Sequence, residues 1–324
     1  MKRRALLTLS VATTLSLSHA HAQEAANQSV LEEIVVTARQ RAEKIEDVPA
    51  TIQAFTARDI EIAGIERPTD FIALTPGLAQ VQTAEVGDLQ LSIRGINTGR
   101  DAETNFALVV DGVLQTNPTA FNQELANVQQ IEVLKGPQGA IYGRNAVSGA
   151  IIVTTRKPGQ DFGGSVDVGF GNNNSRKAHI YLDGGSEAAQ FGVAGYYRET
   201  DGFFKNDFRE CDDCVDYFKE YGVTPRLVMP MGDNGELDVK AKFSKLEAGA
   251  INFNATFALP FFAQFVGNPD FFEDVNDHEF NYISNIIPSN EQENKQISVK
   301  GEWTLDVGTD RKSTRLNSSH PYRS

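Results

Sequence analysis

The chain has two cysteines, one tryptophan and three methionines in 324 residues. Its basic residues are outnumbered, 30 against 43 acidic ones, for a formal charge of −13. A nucleic-acid-binding protein carries the opposite sign or a basic patch, so that class is excluded. Mean hydropathy is −0.31, and no series of apolar runs of about 20 residues occurs, which excludes a bundle of membrane-spanning helices. Histidine is scarce: His19 and His21 lie near the N-terminus and His320 near the C-terminus, leaving only His179 and His278, far apart. Neither has a metal or triad spacing, which argues against a zinc enzyme or a histidine-based hydrolase. No catalytic residue, metal or cofactor is therefore assigned. What the chain has in quantity is glycine (27), phenylalanine (20) and tyrosine (8), the composition of a β-rich protein with many turns. At 40% hydrophobic residues it is too apolar to be disordered.

Residues 1–22 read as a secretory signal peptide. Lys2, Arg3 and Arg4 form a basic n-region, Ala5 to Ser18 a short apolar stretch, and Ala20-His21-Ala22 a small-x-small cleavage site, so that the mature chain begins at Gln23. Residues 23–30 are small and polar, a flexible segment. The next run, Leu31 to Arg39, contains Ile34-Val35-Val36-Thr37, four β-branched residues that favour an extended backbone. Such a run suits either an ordinary first strand or a segment captured by another sheet edge.

Between residues 44 and 157, short strands alternate with helical patterns. Val48 to Phe55 is strand-like. Thr56-Ala57-Arg58-Asp59 is a capping box opening a helix that Gly64 ends, and a second helix starts near Pro68 and stops at Pro76-Gly77. Apolar runs follow at 89–96, 106–113, 128–134 and 150–155. Gly136, Gly139, Gly143 and Gly149 lack the spacing of a P-loop or of GxGxxG, and read instead as tight turns or close backbone approaches.

The order of short motifs in this region is similar to the plug domain of TonB-dependent outer-membrane receptors. The matching pieces are Val48-Pro49, Thr75-Pro76-Gly77-Leu78, Ile93-Arg94-Gly95-Ile96, Val110-Asp111-Gly112-Val113, Ile131-Glu132-Val133-Leu134-Lys135-Gly136-Pro137-Gln138-Gly139, Tyr142-Gly143-Arg144-Asn145-Ala146 and Ser148-Gly149-Ala150-Ile151-Ile152. The resemblance implies that Glu33, Ile34, Val35, Val36, Thr37 and Ala38 are a TonB box, which pairs with the periplasmic protein TonB by strand addition. It also implies a plug lodged in a barrel with a polar inner wall. Arg94, Asp111, Glu132 and Arg144, charges in or beside apolar runs, are then expected to latch plug to barrel or to pair within the plug. The expected fold is an α+β plug domain at 44–157, followed by antiparallel transmembrane β-barrel strands at 158–310. These strands make up part of the family's 22-stranded barrel.

Alternation supports that expectation. Six segments carry one apolar parity each: Val166/Val168/Phe170, Ala178/Ile180/Leu182, Phe191/Val193/Tyr197, Tyr221/Val223/Leu227/Met229, Leu237/Val239/Ala241/Phe243 and Ile297/Val299/Trp303/Leu305, as outer-membrane strands require. The connections alternate as well. Those at 172–174, 200–216 and 248–292 grow along the chain, while those at 184–187 and 231–234 stay short, as expected of external loops and periplasmic turns. In the first long connection, Cys211-Asp212-Asp213-Cys214 reads as half a metal site or a tight disulfide. With no further cysteine and no histidine nearby, a disulfide in an oxidising compartment is preferred. In the second, residues 261–280 hold six phenylalanines and five acidic residues and no lysine or arginine, a solute-binding surface or a packed lid. Asn97, Arg100 and Asp101 are further ligand-facing candidates, because the family's ligands sit between plug apices and external loops. Residues 311–324 have four basic and no acidic residues and no alternation, and are expected to be a non-native tail outside the barrel. The leader carries three positive charges and this tail four, so the body between them stands at −20.

The resemblance implies TonB-dependent uptake of a scarce solute across the Gram-negative outer membrane. An iron–siderophore complex is the first substrate class, with cobalamin or a saccharide as alternatives. The partners implied are TonB with ExbB–ExbD and outer-membrane lipid, and the protein is expected not to be an enzyme. A ligand-sensing transducer is the other reading; it needs a folded domain before the box, for which the stretch between cleavage site and box is too short.

Overall fold

The computed structural model describes residues 34–37, 42–82, 89–98, 104–115, 124–125, 127–143, 145–249, 264–265, 267, 281–282, 287, 289–305 and 308–323. The chain from Ile34 onward forms one compact unit.

Two short strands, β1 (Val35–Val36) and β2 (Glu43–Lys44), pair with each other. Then come β3 (Thr51–Thr56) and the helices α1 (Ala57–Ala63) and α2 (Pro68–Ala73). The start of α1 is set by a reciprocal cap: Asp59 Oδ2 accepts from the Thr56 backbone N–H at 2.9 Å, and Thr56 Oγ1 accepts from Asp59 N–H at 3.3 Å. Gly64 ends it in the left-handed region, φ 63°. Pro68 opens α2, where Asp70 Oδ2 accepts from the backbone N–H groups of Glu66 and Arg67.

Next are β4 (Leu78–Gln82), β5 (Leu89–Ile93), β6 (Ile96–Asn97), β7 (Phe106–Val110) and β8 (Val113–Gln115). They are followed by β9 (Val128–Lys135), the one-turn helix α3 (Gly139–Tyr142) and β10 (Gly149–Thr155). β4, β5 and β6 form one small sheet. The main sheet has the order β3-β9-β10-β7-β8, parallel only between β10 and β7. It is covered on both faces, which is why its strands read as unbroken apolar runs. One face packs Phe55, Phe71, Ile72, Leu91, Ile131 and Ile151 beneath the helices and the small sheet. The other packs Ala107, Val109, Leu134, Ala146 and Ile152.

The remaining strands are β11 (Gly163–Phe170), β12 (Arg176–Gly185), β13 (Gln190–Thr200), β14 (Lys205–Asn206), β15 (Phe218–Pro230), β16 (Gly235–Ala248), β17 (Asn281–Tyr282), β18 (Asn290–Leu305) and β19 (Gly308–Arg323). Seven of them form an antiparallel meander, β11-β12-β13-β15-β16-β18-β19, hereafter the wall. β14 and β17 join the two long connections in a separate parallel pair. The wall's outward parity is the expected one: Val166, Val168, Ile180, Leu182, Phe191, Val223, Phe243 and Ile297 are exposed. The opposite parity faces the α/β unit and is polar, with Glu220, Arg226, Asp238, Gln296 and Ser298 buried.

The structure corrects several sequence expectations. β3 begins at Thr51, and β4 is an additional strand that the sequence pattern did not mark. The runs at 89–96 and 106–113 are each a hairpin. Arg94-Gly95 and Asp111-Gly112 have φ of 52°, 82°, 50° and 82°, the two left-handed central residues of a type I′ turn. Gly139 is neither a turn glycine nor a close approach: it starts α3, and nothing lies within 4 Å of where its Cβ would stand. Residues 311–323 do not lie outside the wall. Gly308–Arg323 pairs along β18 from Leu305 to Asn290, because a ladder uses backbone donors and acceptors, which do not depend on alternating side chains.

The Thr56 backbone and hydroxyl donors hold the Asp59 carboxyl below its usual value. The cap's contribution is therefore full above about pH 4 and lost as pH falls through the lowered folded value. Asp59→Asn should lower unfolding stability by roughly 0.3–1.5 kcal/mol at pH 7, with the gap closing in acid. A gap that persists unchanged to pH 2 in denaturant titrations would contradict the cap's ionic character.

Candidate functional site

Two constellations stand out, one around the N-terminal extended segment and one between the α/β unit and the wall. In the first, β1 lies against β9. Thr37 donates through its backbone N–H to both carboxylate oxygens of Glu132 at 2.9 Å, and through Oγ1 to Oε1 at 3.0 Å. Gln130 Nε2 donates to the Val35 carbonyl at 2.9 Å. Glu132 is wholly buried, with Ala54 and Ile152 as its cross-strand neighbours. A carboxylate in such a place is costly unless hydrogen-bonded, and the Thr37 donors supply that bonding. Burial and the Glu132 charge push the nearby Tyr142 hydroxyl up to about 12. Val36, between the two bonded positions, is buried, whereas Val35 is exposed.

The second constellation has two parts. At the exit of β10, Arg226 of β15 bonds Asp238 of β16 through Nε (3.1 Å) and Nη2 (2.7 Å). Its Nη1 donates to Thr155 Oγ1 (3.0 Å) and to the Arg156 carbonyl (3.0 Å). Asp111, in the β7–β8 turn, accepts from Thr155 N–H and Oγ1, both at 2.8 Å, and from Lys240 Nζ. Burial raises the Asp111 carboxyl, but the Lys240 and Arg226 charges outweigh that and hold it below the usual carboxylate range. The other part gathers around Glu124. Arg67 Nη1 lies 2.9 Å from Glu220 and 3.7 Å from Glu124, His179 Nε2 lies 3.1 Å from Glu124, and Arg198 lies 3.7 Å from it. Glu66 pairs with Lys177 and Arg198. Arg67 and Arg198 both stack on the Phe218 ring, at 5.3 and 5.7 Å.

Asp111 thus contacts the wall, and Glu132 contacts the N-terminal segment. Arg94 does neither: it is exposed in its turn and makes no ion pair among the described residues, and burial, aided by the Arg94 charge, lowers Lys135. Its side chain stands beside Gly77 and Gly136, within the plug. Gly136 (φ 105°) and Gly143 (φ 74°) occupy the left-handed region. At Gly149 a Cβ would stand 2.3 Å from the Leu134 carbonyl oxygen. Asn97 is exposed opposite Ser92 in the small sheet. Cys211 and Cys214 are joined as a disulfide with Cα atoms 6.0 Å apart. Glu33, Ala38, Arg100, Asp101 and Arg144 lie outside the described residues, as does nearly all of 261–280. Sequence reasoning missed Gln130, Glu124 and the pairing of Arg226 with Asp238. The inward parity of Arg226 and Asp238 was the available signal.

Removing one partner of a buried pair leaves the other charge stranded. Asp238→Ala should therefore cost about 3–5 kcal/mol, read as a lowered unfolding midpoint in detergent. The double variant Arg226→Met/Asp238→Leu should lie closer to wild type than that single variant. Equal midpoints for wild type and Asp238→Ala would contradict the pairing.

The TonB-dependent Receptor Plug Domain model matches residues 44–150. The vitamin B12 transporter BtuB of Vibrio vulnificus (strain CMCP6) is 29% identical over 213 residues, 62% of this chain and 33% of that protein. The iron-regulated outer membrane virulence protein of Vibrio cholerae is 30% identical over 203 residues, 58% of this chain and 29% of that protein. Among solved structures, the ferric yersiniabactin uptake receptor FyuA from Yersinia pestis superposes with a TM-score of 0.73 at 20% identity, covering 85% of this chain and 41% of that one. The chain spans about a third of the length of the curated relatives it matches. Residues 44–150 thus match the TonB-dependent receptor plug domain, and the chain as a whole shares the fold of a solved outer-membrane uptake receptor.

Proposed function

We propose that these residues belong to a transporter that takes up an iron–siderophore complex across the outer membrane, driven through TonB and its ExbB–ExbD partners. The observation that carries this reading is the plug packed by charge pairs against the polar inner face of an apolar-outside strand wall. Salt bridges of that kind hold a domain in register without an apolar seal, which suits a gate that must move. An iron cargo is supported by the likeness to the iron-regulated virulence protein of Vibrio cholerae. Cobalamin is the second reading, supported by the likeness to the vitamin B12 transporter.

In this proposal residues 1–22 are a cleaved leader, 33–38 the TonB box, 44–157 the plug, and the strands from 158 onward part of the barrel. The long connections lie outside the cell, where the Cys211–Cys214 disulfide staples the first of them. Asn97, Arg100 and Asp101 are proposed to face the ligand. The short turns and Lys157, paired with Glu236 at 2.6 Å, lie at the periplasmic end.

The test is uptake of radiolabelled ferric siderophores and of cobalamin in cells lacking other receptors, using the full gene. Val35→Pro removes a ladder donor, so it should abolish uptake while leaving ligand binding at the cell surface intact. Unchanged uptake in that variant would overturn the box assignment, and uptake of cobalamin alone would overturn the iron reading.

A further inference from the structure

Both edges of the docked N-terminal strand are occupied. Along an antiparallel pair, the backbone groups of successive residues face opposite sides. The Ile34 carbonyl accepts from Ile45 N–H at 3.0 Å, so the backbone groups of residues 34 and 36 face β2. Those of 35 and 37 face the other way, toward β9. Among the described residues no strand stands on that side; two side chains do. Gln130 Nε2 takes the Val35 carbonyl, and the Glu132 carboxylate takes the Thr37 N–H. Gln130 and Glu132 are two apart on β9, and Val35 and Thr37 are two apart on β1. The common period of two lets one face of β9 meet one edge of the segment in register.

We infer that Gln130 and Glu132 form a clasp that imitates a neighbouring strand and competes with the energy-coupling partner for the same backbone groups. Strand addition to this edge requires the Val35 carbonyl and the Thr37 N–H, and both are already bonded. The clasp also explains why a carboxylate stands at position 132. Its cross-strand neighbours Ala54 and Ile152 offer it no polar group, and an apolar side chain would suit plug packing there. A carboxylate instead gives the Thr37 amide a charge-assisted acceptor with two oxygens. Leaving the clasp takes the Thr37 amide and hydroxyl donors from a buried charge, which favours the docked segment. Gln130 and Glu132 are positioning residues in this scheme: they act on the box and touch no transported solute.

The inference rests on reading residues 33–38 as the TonB box, and the experiment separates the two ideas. In the full receptor chain in detergent, without transported solute, the affinity of the purified periplasmic domain of TonB is measured for wild type, Gln130→Ala, Glu132→Gln and Thr37→Val. Thr37→Val keeps the N–H and loses only the hydroxyl. A spin label at position 35 reports segment mobility in the same proteins. The clasp predicts affinity raised about 5- to 10-fold in Gln130→Ala and Glu132→Gln, a smaller rise in Thr37→Val, and a more mobile label in the same order. Should Glu132→Gln fail to fold, Gln130→Ala at its half-buried position and Thr37→Val read the clasp from its other members. Binding that is present but equal in all folded variants, with an unchanged label, would overturn the clasp and leave the box reading standing. Binding absent from wild type and variants alike, with the label still loosened, would overturn the box reading instead.

Discussion

Arg226 stands where the last plug strand leaves for the wall, and much of the architecture depends on how that one guanidinium is satisfied. It reaches Asp238 with two nitrogens and the Thr155–Arg156 backbone with the third. A guanidinium buried to this degree needs its donors met, and here they are met only if β15, β16 and the end of β10 lie together. The same spot draws in Asp111, whose turn conformation is unusual for a residue with a side chain but tolerable for aspartate. Its carboxylate ties the β7–β8 hairpin to Thr155 and Lys240. Plug exit, plug hairpin and wall are thereby joined at a single polar junction.

The wall makes such a junction necessary. Its outward parity is apolar and its inward parity polar, so the plug meets charges rather than a greasy surface. Around Glu124 the answer is distributed: Glu66, Arg67 and Glu124 from the plug side face Lys177, His179, Arg198 and Glu220 from the wall. The N-terminal segment is held differently. It bonds to β2 and to Gln130 and Glu132 of β9 within the plug. The plug is therefore bound to the wall at its exit and binds its own leading segment at the opposite end of its sequence.

Local signals in the sequence were legible because they act over three or four residues. The Thr56–Asp59 cap, the Gly64 stop, Pro68 at the start of α2 and the two-residue alternation of the wall strands all appear where the chemistry of neighbours demands them. Aspartate-glycine at 111–112 was legible too, as a hairpin turn, but its charge drew attention first, and the turn was missed. Gly139 was misread because its neighbours are turn glycines, although its own backbone is helical. The strand Gly308–Arg323 carries no alternation, so periodicity had nothing to report there. The partners of Glu132 and Glu124 and the Arg156 carbonyl that Arg226 reaches are tens of residues away, and such pairings follow from sheet register, which a single sequence does not display.

The central claim is that the strands after the plug form a wall with lipid on one face and a polar plug on the other. Spin labels placed one at a time along β15 and β16 of the full receptor in bilayers test it, read by accessibility to lipid-soluble oxygen and to a water-soluble nickel complex. The account predicts a strict period of two. Positions 221, 223, 227, 239, 241 and 243 should be open to oxygen, and positions 220, 224, 226, 238, 240 and 242 shielded from it. Accessibility to the nickel complex on both parities, or no alternation at all, would contradict the account.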